Sequence, residues 1–550
     1  MDCLTVGEGK RIFTRDFIGA GPRYVAGFIE KVSDKKVKTT LVRGESIISE
    51  KIELLKHFPI LCVSSMTMDL RFTQRILKKW AEFHPNPSKR LAIIGGPITS
   101  DKNLLYKIED VDLSINGVGE FALAALFQEN LSIIEQNLGN SDGSTWKSKL
   151  FSSIPGVSFI KLNKISNTPK NSPTENKWFA STSGFPEKLK SYKDYKTARI
   201  FVETLRGCSN FRRTGLQLKD KELCMNNQCD ICRQENFKTQ MNCPIQIPAG
   251  CGFCSTINEF GYPKSRDIIA LITEIRELID MGVSRIVLGG PGFFDFHRED
   301  LASGALINPS YPEPNYSSLN SFINQLLSIE KVKNHEVQIF IENVKATLCT
   351  NRALDIIAKI PKAIFSIGCE TGSEEFSNLL GRPGSSEQTY DAVSRAVDRG
   401  IRVHVYFIHS LPGDTEKYTK ETLELLKKFA YLGIDKITIY KYQELPGAPF
   451  YQIPRKLVHF DKKTIKNFNK IKRFVIGYNR SQKQKMLGKI VKVFLTEPNT
   501  MSPTDVIGWI LEGGPKISVK NAINSLGNFE DVQISRVISD RLVEGFLIEK

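Results

Sequence analysis

Residues 243–254 read CPIQIPAGCGFC, with seven residues between Cys243 and Cys251 and two between Cys251 and Cys254. Two thiolates at that closer spacing hold adjacent corners of one metal centre, and a third reaches in from a loop. On an iron–sulfur cubane, three thiolates leave one iron open to chelate a small molecule, whereas four close the site. Phe253, between the last two cysteines, would screen the cluster from water and tune its potential. A structural zinc loop is the alternative, weakened by the want of an adjacent fourth cysteine. The third thiolate has two candidates. Cys243 is preferred because it lies near its partners in sequence. Cys208, in ETLRGC, directly follows an apolar strand pattern and stays open as the other.

A second set lies upstream. Cys224, Cys229 and Cys232, with Cys208 before them, suffice for a closed site that fits a second 4Fe–4S cluster, a rubredoxin-like iron or a zinc, with iron favoured. Cys3, Cys62, Cys349 and Cys369 are scattered and read as small core residues. Eleven cysteines behind a start that lacks the form of a signal peptide argue for cytosolic metal chemistry over a disulfide framework. No apolar run reaches the ~18 residues of a membrane span.

The elements that must position these thiols alternate. Over residues 1–138 the apolar runs ILCVSSM and RLAIIGGPIT read as strands, and GPRYVAGFIEKV and DLRFTQRILKKWAEF as amphipathic helices. That alternation predicts a doubly wound parallel sheet. Residues 139–193 turn polar and read as a linker, with room for one strand pair at GVSFIKL. Residues 194–452 hold six strand–helix repeats, which predict a partial or full barrel of parallel strands, its site at the strands' carboxyl ends. Within it, 208–242 is a Cys-rich insertion. Residues 453–478 form a basic helical linker, and 479–550 carry short β segments between Gly-rich breaks, which suits a small β-barrel.

With these parts in place, the cysteine loop resembles that of radical S-adenosylmethionine (SAM) enzymes, although their usual first gap is three residues. Archaeal members with RGC and GCxFC signatures share the wider gap. The resemblance implies an α/β fold with a partial (β/α) barrel, a 4Fe–4S cluster, SAM, an electron donor such as ferredoxin, and a 5'-deoxyadenosyl radical that takes hydrogen from unactivated carbon. It carries further marks over in order. Gly289 and Gly290 stand in the turn whose backbone meets the SAM ammonium, with Pro291 in place of the usual acid. Glu370 and Ser373 end a strand that holds SAM's polar groups, Arg382 is a partner for the SAM carboxylate, and the turn HSLPGDT packs near adenine. The N-terminal region resembles a cobalamin-binding-like domain by its GGP strand end and its GVGE turn, without the motif that supplies an axial histidine. The tail resembles a TRAM domain, the small barrel of several tRNA-modifying enzymes.

Taken whole, residues 1–480 resemble the archaeal tetraether (GDGT) lipid ring synthases, which implies an ether-lipid substrate and a cytoplasmic chain working at the membrane surface. A radical SAM methyl- or methylthio-transferase acting on tRNA is the alternative. The net charge of +16 serves either: residues 455–492 hold thirteen Lys or Arg against one acid, a surface for lipid headgroups or for RNA phosphates. A long chain also needs an apolar channel, for which PGFFDF is a candidate lining, although Phe is more often core.

Overall fold

The computed structural model describes residues 1–3, 17–140, 145–171, 176–216, 239, 243, 247–453 and 455–548. Cys224, Cys229 and Cys232 lie outside them.

After β1 (Phe17–Ile18) comes α1 (Ala20–Val32), whose Pro22 falls in the first turn, where its missing N–H costs nothing. The N-terminal sheet is built from β2 (Ile60–Ser64), β3 (Leu91–Gly95), β4 (Leu113–Ile115), β5 (Val157–Lys161) and β6 (Lys164–Asn167), in that spatial order. β2, β3 and β4 pair in parallel, and β5 and β6 add antiparallel strands at the edge. β3 is buried over Leu91, Ala92, Ile93 and Ile94, because helices cover both faces of a parallel sheet. One of them is α2 (Leu70–Phe83), which buries Phe72, Ile76, Leu77 and Trp80. The stretch expected as a linker thus contributes two strands to this sheet.

The second sheet curls into a half-barrel ordered β1, β7 (Arg199–Glu203), β10 (Arg285–Gly289), β11 (Gln338–Val344), β12 (Ile364–Glu370), β13 (Arg402–His409), β14 (Lys436–Lys441), parallel throughout. Between β7 and β10 lies the small antiparallel pair β8 (Leu205–Arg206) and β9 (Lys264–Ser265). Strands alternate with helices such as α3 (Ile268–Asp280), α4 (Tyr316–Leu327), α5 (Ser386–Val397) and α6 (Glu416–Leu432). β1 was missed, since two residues carry no periodicity and its pairing to β7 is a tertiary fact.

Buried charges fasten the two units together. Arg23 of α1 donates to Glu274 of α3 at 2.8 Å, and Arg266 reaches the same carboxylate at 2.6 Å; all three side chains are 3% exposed or less.

α7 (Lys462–Gln484), capped by Asp461, lies along the edge strand β14. Its first half packs Phe468 on His409, at the end of β13, while Asn479 bonds both backbone groups of Ile437, at the start of β14. The chain ends in a closed barrel of β15 (Ile490–Pro498), β16 (Val506–Ile510), β17 (Lys516–Lys520), β18 (Phe529–Val537) and β19 (Leu542–Leu547). Its order β15-β16-β17-β19-β18, with β17 and β19 parallel, is that of the oligonucleotide- and oligosaccharide-binding barrels. Its β16–β17 hairpin plugs the amino end of the half-barrel. Glu512 accepts from Arg402 through its carbonyl at 2.8 Å and pairs with Lys362, and Trp509 lies 5.7 Å from the Arg285 guanidinium. The small barrel and the strand carboxyl ends therefore occupy opposite ends of the core.

Candidate active site

Cys208 leaves β8 through Gly207, whose φ is +78° and whose added Cβ would lie 2.2 Å from the Tyr262 carbonyl oxygen. Glycine is the residue that allows this turn. The Cys208 N–H then donates to Gly261 at 3.0 Å, which fixes where the thiol emerges. Cys251 and Cys254 sit on one tight turn, the Cys254 N–H donating to the Cys251 carbonyl at 2.9 Å.

Asn210 joins these loops. Its Nδ2 donates to Cys251 Sγ at 3.2 Å and to the Gly381 carbonyl at 2.9 Å, and its own N–H points at Cys208 Sγ, 3.5 Å away. It is 1% exposed, and its Oδ1 has no hydrogen-bond partner among the described residues. Burial pushes the Cys251 thiol up to about 12, against the pull of the Arg382 guanidinium, and the charges of Cys254 and Cys208 push the same way. Burial also raises Cys254, with Cys208 again among its electrostatic neighbours. Cys208, Cys251 and Cys254 thus face one space.

Cys243 is buried in an apolar cluster with Ile247, Phe376, Leu380, Leu411, Tyr418 and Phe450, against which Phe253 of the Cys251–Cys254 turn packs. Among the described residues no group of three metal-binding side chains converges on a single ion. A cubane does not ask for that, since each of three thiolates meets a different iron.

The other expected residues distribute as follows. Arg382 donates to Glu370 at 3.3 Å and to the Gly368 carbonyl, and it hydrogen-bonds the Cys251 thiol. Glu370 holds φ at +66°, in the left-handed region where a non-glycine residue is strained, at the irregular end of β12. Burial raises its carboxyl, with Arg382 opposing. Ser373 caps the short helix that begins at Glu374, its hydroxyl accepting from Phe376 N–H. The Gly289 carbonyl accepts from both the N–H and the hydroxyl of Thr204, and the Gly290 N–H donates to Glu342, so this turn is tied to both neighbouring strands. Asp414, in the turn after β13, is pushed up to about 7 by burial.

Both sheets open their strand ends onto one cleft of about 790 Å³. Its wall is largely apolar, with Val25, Leu41, Val63, Ile115 and Phe201 among its residues, and it reaches Gly289, Gly290 and Thr256 beside the cysteine loops. Thr256 Oγ1 accepts from Cys254 Sγ at 3.2 Å. Glu120, from the GVGE turn, pairs with Arg206 of the RGC turn at 2.5 Å, and Arg206 lies 4.1 Å from the Phe179 ring. No sequence signal linked those two turns. Phe293, Phe294 and Phe296 of PGFFDF do not line the cleft. They are fully buried in the half-barrel's core beside Phe322, a correction that follows from their packing under the helix layer.

Among the described residues the cleft wall holds no histidine, so a cobalamin bound there would take no histidine ligand from it; the wall's polar groups include Lys38, Thr39, Thr40 and Ser64.

The radical SAM superfamily profile matches residues 242–426, a segment that starts beyond Cys208. It implies a 4Fe–4S cluster, SAM and an external electron donor. The chain is 31% identical over 552 positions to uncharacterized protein MJ1620 of Methanocaldococcus jannaschii, covering 100% of this chain and 98% of that one. It is 30% identical over 549 positions to uncharacterized protein MK0932 of Methanopyrus kandleri, covering 100% and 95%. A tRNA-2-methylthio-N(6)-dimethylallyladenosine synthase of Clostridium novyi is 20% identical over 64% of this chain and 72% of its own. Among solved structures, the radical SAM methyltransferase TsrM from Kitasatospora setae, with cobalamin and a 4Fe–4S cluster bound, superposes with a TM-score of 0.55 at 12% identity over 79% of this chain and 76% of that one. The cobalamin-dependent radical enzyme OxsB also gives 0.55, at 14% identity over 82% and 54%. These two likenesses show the shared fold. The chain is a radical SAM enzyme and belongs to one family with its two full-length archaeal relatives.

Proposed function

We propose that the enzyme takes hydrogen from saturated carbon in a long apolar chain, and that its substrate is an ether lipid in which it closes rings. The observation that carries this reading is the largely apolar cleft, which runs from the N-terminal domain to the strand ends beside the cysteines. Its volume, about 790 Å³, is within the range of small-molecule sites. When bound, the cluster and SAM supply one-electron cleavage of the sulfonium and hydrogen-atom abstraction.

The chain's own residues do the rest. Cys208, Cys251 and Cys254 would hold the cluster, and Asn210, in contact with the first two, would set the distance between them. Arg382 offsets thiolate charge at Cys251. The carbonyls of Gly289 and Gly290 fix the adjacent strand ends, and the cleft wall keeps water from the reacting carbon.

A second reading, RNA modification, is favoured by the small barrel's strand order and by the tRNA-modifying relative. The exposed Lys466, Lys470, Arg473 and Arg480 follow one face of α7, a helix about 35 Å long, which joins the small barrel to the site end. No described carboxylate pairs with these four. Anaerobic incubation with SAM, a reductant and either tetraether lipid or bulk tRNA separates the readings. Lipid that loses two hydrogens per ring supports the first. A mass gain confined to one tRNA nucleoside replaces it with the second.

A further inference from the structure

A second charged group stands behind Cys208. Lys345 follows β11, and its ammonium donates to Ser209 Oγ at 2.7 Å, the residue next to Cys208. It also pairs with Asp295, which pairs in turn with Arg298. The Ser209 hydroxyl donates to Asp295 at 2.9 Å, and Arg298 Nε donates to the Pro312 carbonyl at 2.9 Å. Asp295 and Arg298 are 0% exposed and Lys345 is 8% exposed. Two buried cations and one buried carboxylate leave this set one charge positive, directly beneath the Cys208 loop.

Burial alone would push the Asp295 carboxyl up, yet Lys345 and Arg298 hold it below its usual value. Burial alone would lower the Lys345 ammonium, and Asp295 with the Cys208 thiolate raises it. Each member therefore keeps its charge, and Lys345 shares its field between Asp295 and Cys208.

We propose that Lys345, held by Asp295 and Arg298, is a positioning residue that seats the Cys208 loop and raises the reduction potential of the cluster bound there. The inference rests on the reading that Cys208 is a cluster ligand. One electron enters from an external low-potential donor of the ferredoxin class. No bond breaks in that step, and the cluster becomes more negative by one charge. A nearby cation stabilises that more negative form, and a low-dielectric surrounding keeps the effect large. Asp295 cancels part of it, so the set gives a moderated field where a lone lysine would give a stronger one.

The test is a redox titration, followed by electron paramagnetic resonance, of full-length protein reconstituted with iron and sulfide. Lys345→Met makes the set neutral, so its midpoint falls. At the wild-type midpoint its reduced-to-oxidised ratio drops about tenfold, which is about 59 mV for one electron. Lys345→Arg keeps the charge and stays near wild type. Asp295→Asn makes the set two charges positive and moves the midpoint the other way. Should Lys345→Met fail to take up a cluster, the Asp295→Asn midpoint decides alone: a rise supports the proposal and an unchanged or lower value overturns it. Equal midpoints throughout, or shifts of the same sign in Lys345→Met and Asp295→Asn, also overturn it. Cys208→Ala tells this failure from that of the underlying reading, since a normal cluster in that variant refutes the ligand assignment itself.

Discussion

Glu274 is the single carboxylate between two buried guanidinium groups, those of Arg23 and Arg266, and it joins the N-terminal helix α1 to the half-barrel. Replacing it with alanine strands both cations away from water. Breaking a buried pair by removing one partner costs about 3–5 kcal/mol, and the upper part of that range applies here because two cations lose the same anion. The arginines reach onward to the carbonyls of Phe201, Thr182 and Glu203, so the loss falls on the contact that sets one wall of the cleft. Burial alone would raise the Glu274 carboxyl, but Arg266 and Arg23 hold it below its usual 4.5. Its stabilisation is therefore complete above 4.5 and is lost as pH falls through the lower folded value. Urea unfolding followed by circular dichroism, at pH 7 and again at pH 4, measures both effects. Glu274→Ala should lose several kcal/mol at pH 7, and the double variant with Arg23→Ala should lose less than the sum of the singles. A Glu274→Ala loss below about 1 kcal/mol, or strict additivity with Arg23→Ala, refutes the reasoning.

Other expectations follow from single features. Gly207→Ala forces a Cβ to 2.2 Å from the Tyr262 carbonyl at φ +78°, so iron content after reconstitution should fall severalfold while overall helix content holds. Asp414 titrates near 7 when folded and near 3.8 when unfolded, so the folded state keeps its proton longer and stability falls as pH rises across that window. Asp414→Asn should flatten that slope, which amounts to at most about 4 kcal/mol, in melts between pH 4 and pH 8. Joint replacement of Cys224, Cys229 and Cys232 by alanine should lower bound metal while leaving the SAM-dependent cluster signal; unchanged metal content removes the second site.

Much of the frame was legible because its signals are local. Continuous apolar runs such as RLAIIGG mark strands buried on both faces, and the 3.6-residue period of DLRFTQRILKKW marks a surface helix. The cofactor loop was legible for the same reason, Cys251 and Cys254 being three positions apart. The third thiol has two candidates in the sequence, Cys243 by nearness along the chain and Cys208 after an apolar strand, and in the structure Asn210 lies against both Cys208 and Cys251. Asn210 and Lys345 were missed since neither stands in a motif, and their roles arise from contacts across 41 and 136 residues of chain. The Phe-rich PGFFDF left channel and core open because composition cannot tell a channel wall from a core, and its phenylalanines are core.

We propose that Cys208, Cys251 and Cys254 would hold a cluster whose open iron binds SAM. The most direct measurement is the paramagnetic resonance spectrum of the dithionite-reduced, reconstituted protein, taken with and without SAM, for wild type, Cys208→Ala and Cys243→Ala. SAM should shift the spectrum of wild type and of Cys243→Ala alike, and Cys208→Ala should show no SAM-responsive signal. A SAM-responsive cluster in Cys208→Ala together with its loss in Cys243→Ala would contradict the proposal.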